Sequence, residues 1–287
     1  VCVVDPNQLV KKLADKLGAE YYASHEKAVQ RKDVDCVIIA TPNKFHMPIA
    51  VDALQHKKHV LCEKPLARNF DEAKKMVETA EKNKCFLKTG SNLRYFTNVR
   101  KAKELFDEGK IGKPLFLRGR IGHDIMRWVG AKKEGMEESW FFNREIVGGG
   151  TFLDNGVHIL DLFRWFFGDF TRCFGRITNL SLPLQIEDNG WGLFETQDGR
   201  VAFLHCSWTE WIGYMYMEIY GTEGCIHVDN RRGISKIVYT DRGGVQQIFD
   251  YSTEPPKSYE LELRAYVKAI SENQQPEASG SDGMKAV

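Results

Sequence analysis

Residues 36–65, CVIIATPNKFHMPIAVDALQHKKHVLCEKP, decide how this 287-residue chain folds. Two short apolar runs rich in β-branched residues, CVIIA and HVLCE, flank a helical segment from about Met47 to His56. Strands joined through a helix run parallel, and apolar strands of this kind are covered on both faces. The alternation continues outward in both directions. Before it stand VCVVD, a helix from about Asn7 to Leu17, AEYYA and a short helix near Glu26. After it come a longer helix from Asp71 to Lys84 and the strand CFLKTG. With right-handed crossovers these elements build an α/β fold around a doubly wound parallel sheet.

After a helix near Thr97 to Glu108 the pattern changes. LFLRGRIGH is followed by a loop rich in Lys, Glu and Gly, a helix within residues 148–168, and longer alternating strands. GWGLFETQDGRVAFLHCSW reads as a hairpin turning at Gln197 to Arg200, and YMYMEIYGTEGCIHVDN as another around Thr222 to Gly224. The expected organisation is a parallel α/β domain over 1–92 and, over 93–287, an α+β domain with an open, mainly antiparallel sheet. The tail from Glu272 to Val287 reads as polar and mobile.

One part of the pattern is missing. A Rossmann-like sheet opens with a strand and a G-x-G-x-x-G turn whose amides face a pyrophosphate, yet this chain begins on a strand ending in Asp5 and contains no G-x-G-x-x-G. The expectation is a sheet lacking its first strand and Gly-rich loop. Either the chain is a fragment short of about thirty residues, or it does not bind a dinucleotide in the usual way.

Composition narrows the class of ligand. Forty Lys and Arg against 39 Asp and Glu leave a net charge of +1, so no global field points to nucleic acid or a membrane surface. Seven cysteines are an odd number without CxxC or zinc-ligand spacing, which reads as reduced thiols in a cytoplasmic protein with no metal site. No run is long and apolar enough to span a bilayer.

Ligands of doubly wound sheets bind beyond the carboxyl ends of the strands. Those ends carry Asp5; Thr41, Pro42 and Asn43; Glu63, Lys64 and Pro65; and Ser91 and Asn92. Asp5 is placed to hydrogen-bond ribose hydroxyls and repel a 2′-phosphate, which favours NAD over NADP, although Asp-Pro is also an ordinary turn. Thr41 or Asn43 can equally cap the following helix. Opposite charges at Glu63 and Lys64, directly after an apolar strand, are poorly explained as an exposed ion pair. A lysine there can stabilise a developing alkoxide or act as a base.

The segment GGGTFLDNGVHILDLFRWFFG, residues 148–168, adds proton chemistry. At about 100° per residue, Asp154, His158 and Asp161 share a stripe roughly 60° wide on an otherwise apolar helix. A histidine beside a carboxylate in a partly dry pocket is tuned toward general-base work. The competing account is a satisfied core histidine and an acid favoured by the helix dipole.

Taken together, these pieces resemble the Gfo/Idh/MocA oxidoreductase family. They are Asp5-Pro6, Ala40-Thr41-Pro42-Asn43 with His46, Val60 through Leu66 with its Glu63-Lys64-Pro65, Asn92 through Phe96, Gly109 through Gly112, and Gly148 through Gly168. The resemblance implies NAD(P)-dependent hydride transfer between nicotinamide and a hydroxyl-bearing carbon of a sugar, sugar derivative or cyclitol. It implies dinucleotide binding for the domain over 1–92, and substrate binding and oligomerisation for the domain over 93–287. Lys64, Asp154 and His158 become the catalytic trio, with either His158 or Lys64 as the base and Asp161 in support. Asp5, Thr41, Pro42, Asn43, His46, Glu63, Lys64 and Asn92 fall to the cofactor. Arg94, Tyr95 and Trp140 fall to the substrate, and Trp128 and Trp211 are further stacking candidates. The open sheet offers a face for a homo-oligomer. Two alternatives stand beside the dehydrogenase: a non-enzymatic sugar- or nucleotide-sensing regulator of the same fold, and a glycosidase or epimerase using tightly held NAD. A metal held by Asp154, His158 and Asp161 is disfavoured, since no other ligand spacing supports it.

Overall fold

The apolar runs at the front become short strands, and capping chemistry sets the limits of the helices between them. The computed structural model describes residues 1–129 and 139–287, the side chains of 128 and 129 excepted, so Trp128 lies outside the described residues. The chain forms two compact units, Val1–Gly90 with Ala265–Lys285 and Ser91–Arg264 with Ala286–Val287.

In the first unit, β1 (Cys2–Val4) pairs in parallel with β2 (Glu20–Tyr22), and β3 (Cys36–Ile39), β4 (His59–Glu63) and β5 (Leu87–Gly90) form a second parallel ladder. The strands expected in one sheet thus lie in two ladders, and no strand joins them among the described residues. Helices α1 (Lys11–Lys16), α2 (Glu26–Val29), α3 (His46–Gln55) and α4 (Phe70–Asn83) alternate with the strands. Helix α4 shows why the boundaries fall where they do. The Asn69 side chain accepts the Glu72 N–H at 3.0 Å, Asp71 and Glu72 complement the dipole of the first turn, and Lys84 at φ +57° ends the helix. The core joins Val60 and Cys62 of β4 to small residues of the helices, Ala50 and Ala53 of α3 and Ala73 and Ala80 of α4.

The C-terminal tail is not mobile. Lys88 on β5 is fully buried, and its Nζ donates to the carbonyls of Glu277 at 3.0 Å and Thr89 at 3.2 Å. The Thr89 N–H donates to the Ala278 carbonyl at 2.8 Å, and a helix, Gly280–Ala286, follows. The tail's polarity misled because much of its attachment is made by its backbone, with Met284 and Ala278 adding apolar contact that the polar composition hides.

In the second unit, α5 (Thr97–Asp107) leads to β6 (Pro114–Asp124), α6 (Ile125–Val129) and α7 (Arg144–Val147). A π-helical turn, Phe152–Gly156, runs directly into α8 (Val157–Phe167). Strands β7 (Phe170–Thr178), β8 (Asn189–Thr196), β9 (Val201–Ser207), β10 (Thr209–Gly221), β11 (Gly224–Arg231), β12 (Lys236–Asp241) and β13 (Gln246–Asp250) complete one sheet. Its order is β13-β12-β11-β10-β6-β9-β8-β7, antiparallel except for the parallel pair β6–β9. Both expected hairpins form, with Gly199 at φ +85° in the first turn.

Alternation along these strands separates two faces. Leu117, Ile121, Leu204, Met215, Met217 and Val228 share one buried core with Val99, Ala102 and Leu105 of α5 and Ile159, Leu162 and Phe163 of α8. Helix α8 lies close to β6 because residue 119 is glycine: a Cβ there would stand 2.8 Å from both Ile159 Cγ2 and Phe163 Cζ. Phe174, Trp191 and Phe203 are exposed to solvent.

Candidate active site

Parallel register gathers the polar strand ends of the first unit. Ile39 pairs with Cys62, Cys62 with Thr89 and Glu63 with Gly90, so β3, β4 and β5 end together. Thr41 Oγ1 is buried without a hydrogen-bond partner. Pro42 holds the cap position of the following turn, Asn43–Phe45, and gives it no side-chain cap. Asp5 does take its turn role, accepting the Asn7 N–H at 2.7 Å.

His46 is 1% exposed and lies between two carbonyls, Nε2 at 2.8 Å from Thr41 O and Nδ1 at 3.0 Å from Pro65 O. It links the loops after β3 and β4, and both ring nitrogens are committed within the protein. Burial pushes its pKa down, outweighing the carbonyls of Thr41, Pro65 and Leu66, which favour the charged ring. Burial likewise pushes Glu63 up, against the Lys64 N–H and the charges of Lys64 and Lys88. The partnerless hydroxyl of Thr41, the acid that follows β1 and the gathered carboxyl ends fit a dinucleotide.

In the second unit the expected stripe divides. Asp161 is 3% exposed and held by Arg94, Nε to Oδ2 at 2.7 Å and Nη2 to Oδ1 at 2.6 Å. This paired carboxylate is engaged away from proton chemistry, and it takes Arg94, expected at the substrate, into the interior with it. Arg94 also lies over the Trp165 ring at 5.5 Å, and Tyr95, 4% exposed, lies beneath Arg100 at 4.5 Å. Asn92 is buried at the head of the short helix Asn92–Tyr95. Trp140 and Trp211 remain exposed, Trp140 edge-on to Phe141.

Asp154 and His158 have a different setting. His158 is 7% exposed on the first turn of α8, and Asp154, in the π turn before it, accepts the Trp208 indole N–H at 3.2 Å. The π turn rather than a regular α start is organised by Glu187. Its Oε2 accepts the Gly150 N–H at 2.9 Å, its Oε1 the Phe152 N–H at 3.1 Å, and its carbonyl the Thr151 N–H at 3.0 Å. This approach requires glycine at 150, where a Cβ would fall on the Glu187 carbonyl oxygen and stand 2.8 Å from its carbon and nitrogen. Asn155 Nδ2 donates to Thr151 Oγ1 at 3.3 Å, tying the same turn together. Among the described residues no three His, Cys, Asp or Glu side chains are grouped as metal ligands.

Sequence reasoning missed Glu187 and Trp208. The available signal was the run Glu187-Asp188-Asn189 immediately before a strand, where acids lack a surface explanation. Asp188 is fully buried and accepts the N–H groups of Leu180, Ser181 and Leu182, each at 2.8 Å. Burial alone would raise its pKa, but these donors and Asn189 hold it below the usual carboxylate range. Of these two buried acids, Glu187 anchors the backbone at the helix start and Asp188 that of residues 180–182.

Comparison with known proteins agrees with this architecture. Residues 1–91 match the family model of the oxidoreductase family with an NAD-binding Rossmann fold, and residues 99–227 match that of the GFO/IDH/MocA C-terminal domain. The chain is 30% identical over 266 residues to 1,5-anhydro-D-fructose reductase of Ensifer adhaerens, covering 91% of this chain and 77% of that protein. It is 26% identical over 287 residues to myo-inositol 2-dehydrogenase of Thermotoga maritima, covering 97% and 82%. The solved structure of a levoglucosan dehydrogenase in complex with NADH and levoglucosan superposes with a TM-score of 0.88 at 25% identity, covering 99% of this chain and 84% of that one. With both domain models matched in order along one chain, this protein belongs to the Gfo/Idh/MocA oxidoreductase family.

Proposed function

We propose that this protein is an NAD-dependent dehydrogenase acting on a CH–OH group of a sugar, an anhydrosugar or a cyclitol. The carrying observation is the pair Asp154 and His158 on a helix start fixed by Glu187, in a chain whose front matches an NAD-binding model. The similar proteins are named for 1,5-anhydrofructose, myo-inositol and levoglucosan, all compact polyols or anhydrosugars. Bound NAD supplies the hydride acceptor. His158 takes the hydroxyl proton, Asp154 stabilises the charged imidazole, and Lys64 positions the hydroxyl and stabilises negative charge on its oxygen. The reverse assignment, Lys64 as base and His158 as hydrogen-bonding partner, uses the same atoms and is separated by the pH profile of each single variant.

Asp5, Thr41, Pro42, Asn43, Glu63, Lys64 and Asn92 serve the cofactor, with His46 shaping its loops from beneath. An acid closing β1 supports NAD over NADP. Trp140 is the exposed aromatic for stacking on substrate. We place the protein in the cytoplasm on its unpaired cysteines. We assign the sheet surface bearing Phe174, Trp191 and Phe203 to a second copy of the chain, since large exposed aromatics on one sheet mark an interface. Light scattering on F174E/F203E tests this, with a monomer expected.

The catalytic test incubates the protein with NAD and a panel of myo-inositol, levoglucosan and 1,5-anhydro sugars, and follows NADH. Lys64→Ala and His158→Ala should each lower kcat/KM by about 100-fold or more. Wild-type rates in both variants refute the assignment. Tight NAD binding without NADH formation from any substrate favours the sensing protein, and altered sugar without net NADH favours the redox-neutral enzyme.

A further inference from the structure

We propose that Trp208 is a positioning residue for Asp154, its buried indole N–H fixing the rotamer of that carboxylate and favouring its ionised, accepting form. The inference rests on the reading of Asp154 as part of the catalytic set. Trp208 is 2% exposed and held at every side. Its indole stands 5.7 Å from Phe141 and 5.9 Å, edge-on, from Phe142. The backbone N–H of Trp208 donates to the Asp188 carbonyl at 2.8 Å, and its backbone carbonyl accepts the Ile125 N–H at 3.2 Å. An indole so confined cannot turn to follow a moving acceptor. Nε1 is a donor with no accepting capacity, so it stabilises a carboxylate oxygen that carries charge.

Among the described residues, ionisable groups from β6, β9 and β10 stand near this turn, His123 of β6 with its Nδ1 3.5 Å from Asn155 Nδ2. Burial pushes the Cys206 thiol of β9 well up, with the charges of Glu187, Asp154 and Glu210 acting in the same direction. Burial, then the charge of Asp154, pushes the Tyr214 phenol of β10 up as well. Both stay neutral through the working range, while Glu187 is occupied by the backbone at the helix start. Asp154 is the acceptor of this indole, and the variants below separate its effect from that of the neighbouring histidines.

Two readouts test the proposal on the full chain. In the ¹⁵N–¹H spectrum of the tryptophan indoles, Trp208 is the resonance missing in Trp208→Phe. It should move in one step as Asp154 titrates, keep that step in His158→Gln and lose it in Asp154→Asn. A resonance indifferent to pH and to Asp154→Asn overturns the proposal. The second readout replaces Trp208 with benzothienylalanine, which keeps the shape and removes the N–H, and assays NAD with the polyol panel. The expected result is a loss of about tenfold in kcat with little change in KM, and an acid limb displaced upward by about one pH unit. A purely packing role leaves the limb in place and overturns the proposal. If Asp154→Asn impairs turnover while the benzothienylalanine variant does not, only the role of Trp208 falls. A fully active Asp154→Asn removes the catalytic reading as well.

Discussion

Replacing Glu187 should damage the second unit more than any surface mutation, because one side chain holds the backbone at the start of the helix that carries Asp154 and His158. Glu187→Ala removes acceptors at 2.9 and 3.1 Å from the N–H groups of Gly150 and Phe152 and leaves two enclosed donors unpaired. Hydrogen bonds to a charged group contribute roughly 1.5–3 kcal/mol each, and favourable helix-dipole interaction adds roughly 0.3–1 kcal/mol, so the loss should be about 4 kcal/mol. That is a large share of a total stability of about 5–15 kcal/mol. Glu187→Gln keeps one acceptor but turns an amide NH₂ toward a donor, and should cost about half as much. Urea unfolding followed by circular dichroism measures both, provided the slope with denaturant is unchanged. The same variants should lower kcat more than they raise KM, since Asp154 lies two residues beyond Phe152. A Glu187→Ala protein within about 1 kcal/mol of wild type would refute the anchoring argument.

The Arg94–Asp161 pair, with both side chains 4% exposed, should behave as a buried ion pair: Asp161→Asn or Arg94→Met alone costs about 3–5 kcal/mol, and a joint Arg94→Met/Asp161→Leu recovers most of it in a double-mutant cycle. For His46, whose folded pKa is depressed below the ordinary 6.5, the unfolded chain binds the extra proton. Stability is therefore lost as pH falls below 6.5, and His46→Gln should show a smaller drop in Tm between neutral pH and about pH 5.5. For Glu63, raised above the ordinary 4.5, the folded chain binds the extra proton. Stability falls as pH rises above 4.5, and Glu63→Gln should flatten that limb in the same Tm series.

What could be read from the sequence and what could not divides along a physical line. Strands β3 and β4 and helix α3 were legible because their burial is local: β-branched runs and a 3.6-residue pattern state which surface is covered without reference to distant residues. The hairpins β8–β9 and β10–β11 were legible because their turns carry their own chemistry, as Gly199 at φ +85° shows. The division into ladders β1–β2 and β3–β4–β5 was not legible, because pairing depends on partners rather than on any strand's own pattern. The tail failed for a related reason, since β5 holds it through carbonyls at Glu277 and Ala278 that every sequence possesses.

The same distinction explains the uneven reading of the site. A helical wheel assigns Asp154, His158 and Asp161 to one stripe because it treats the helix as isolated and regular. The chain breaks both assumptions. A π turn forms where Glu187, thirty-five residues beyond Phe152, takes the first N–H groups, and Arg94, sixty-seven residues before Asp161, neutralises the last acid of the stripe. Each long-range partner removes one degree of ambiguity that periodicity leaves. With Asp161 committed to Arg94, the polar pair left on this stripe is Asp154 and His158, the two residues proposed for proton transfer. With Trp208 donating to Asp154, the carboxylate gains an orientation that no spacing rule encodes. The glycines of the motif take their meaning from the same partners: Gly150 is required by the carbonyl of Glu187, whose approach a helix pattern cannot foretell.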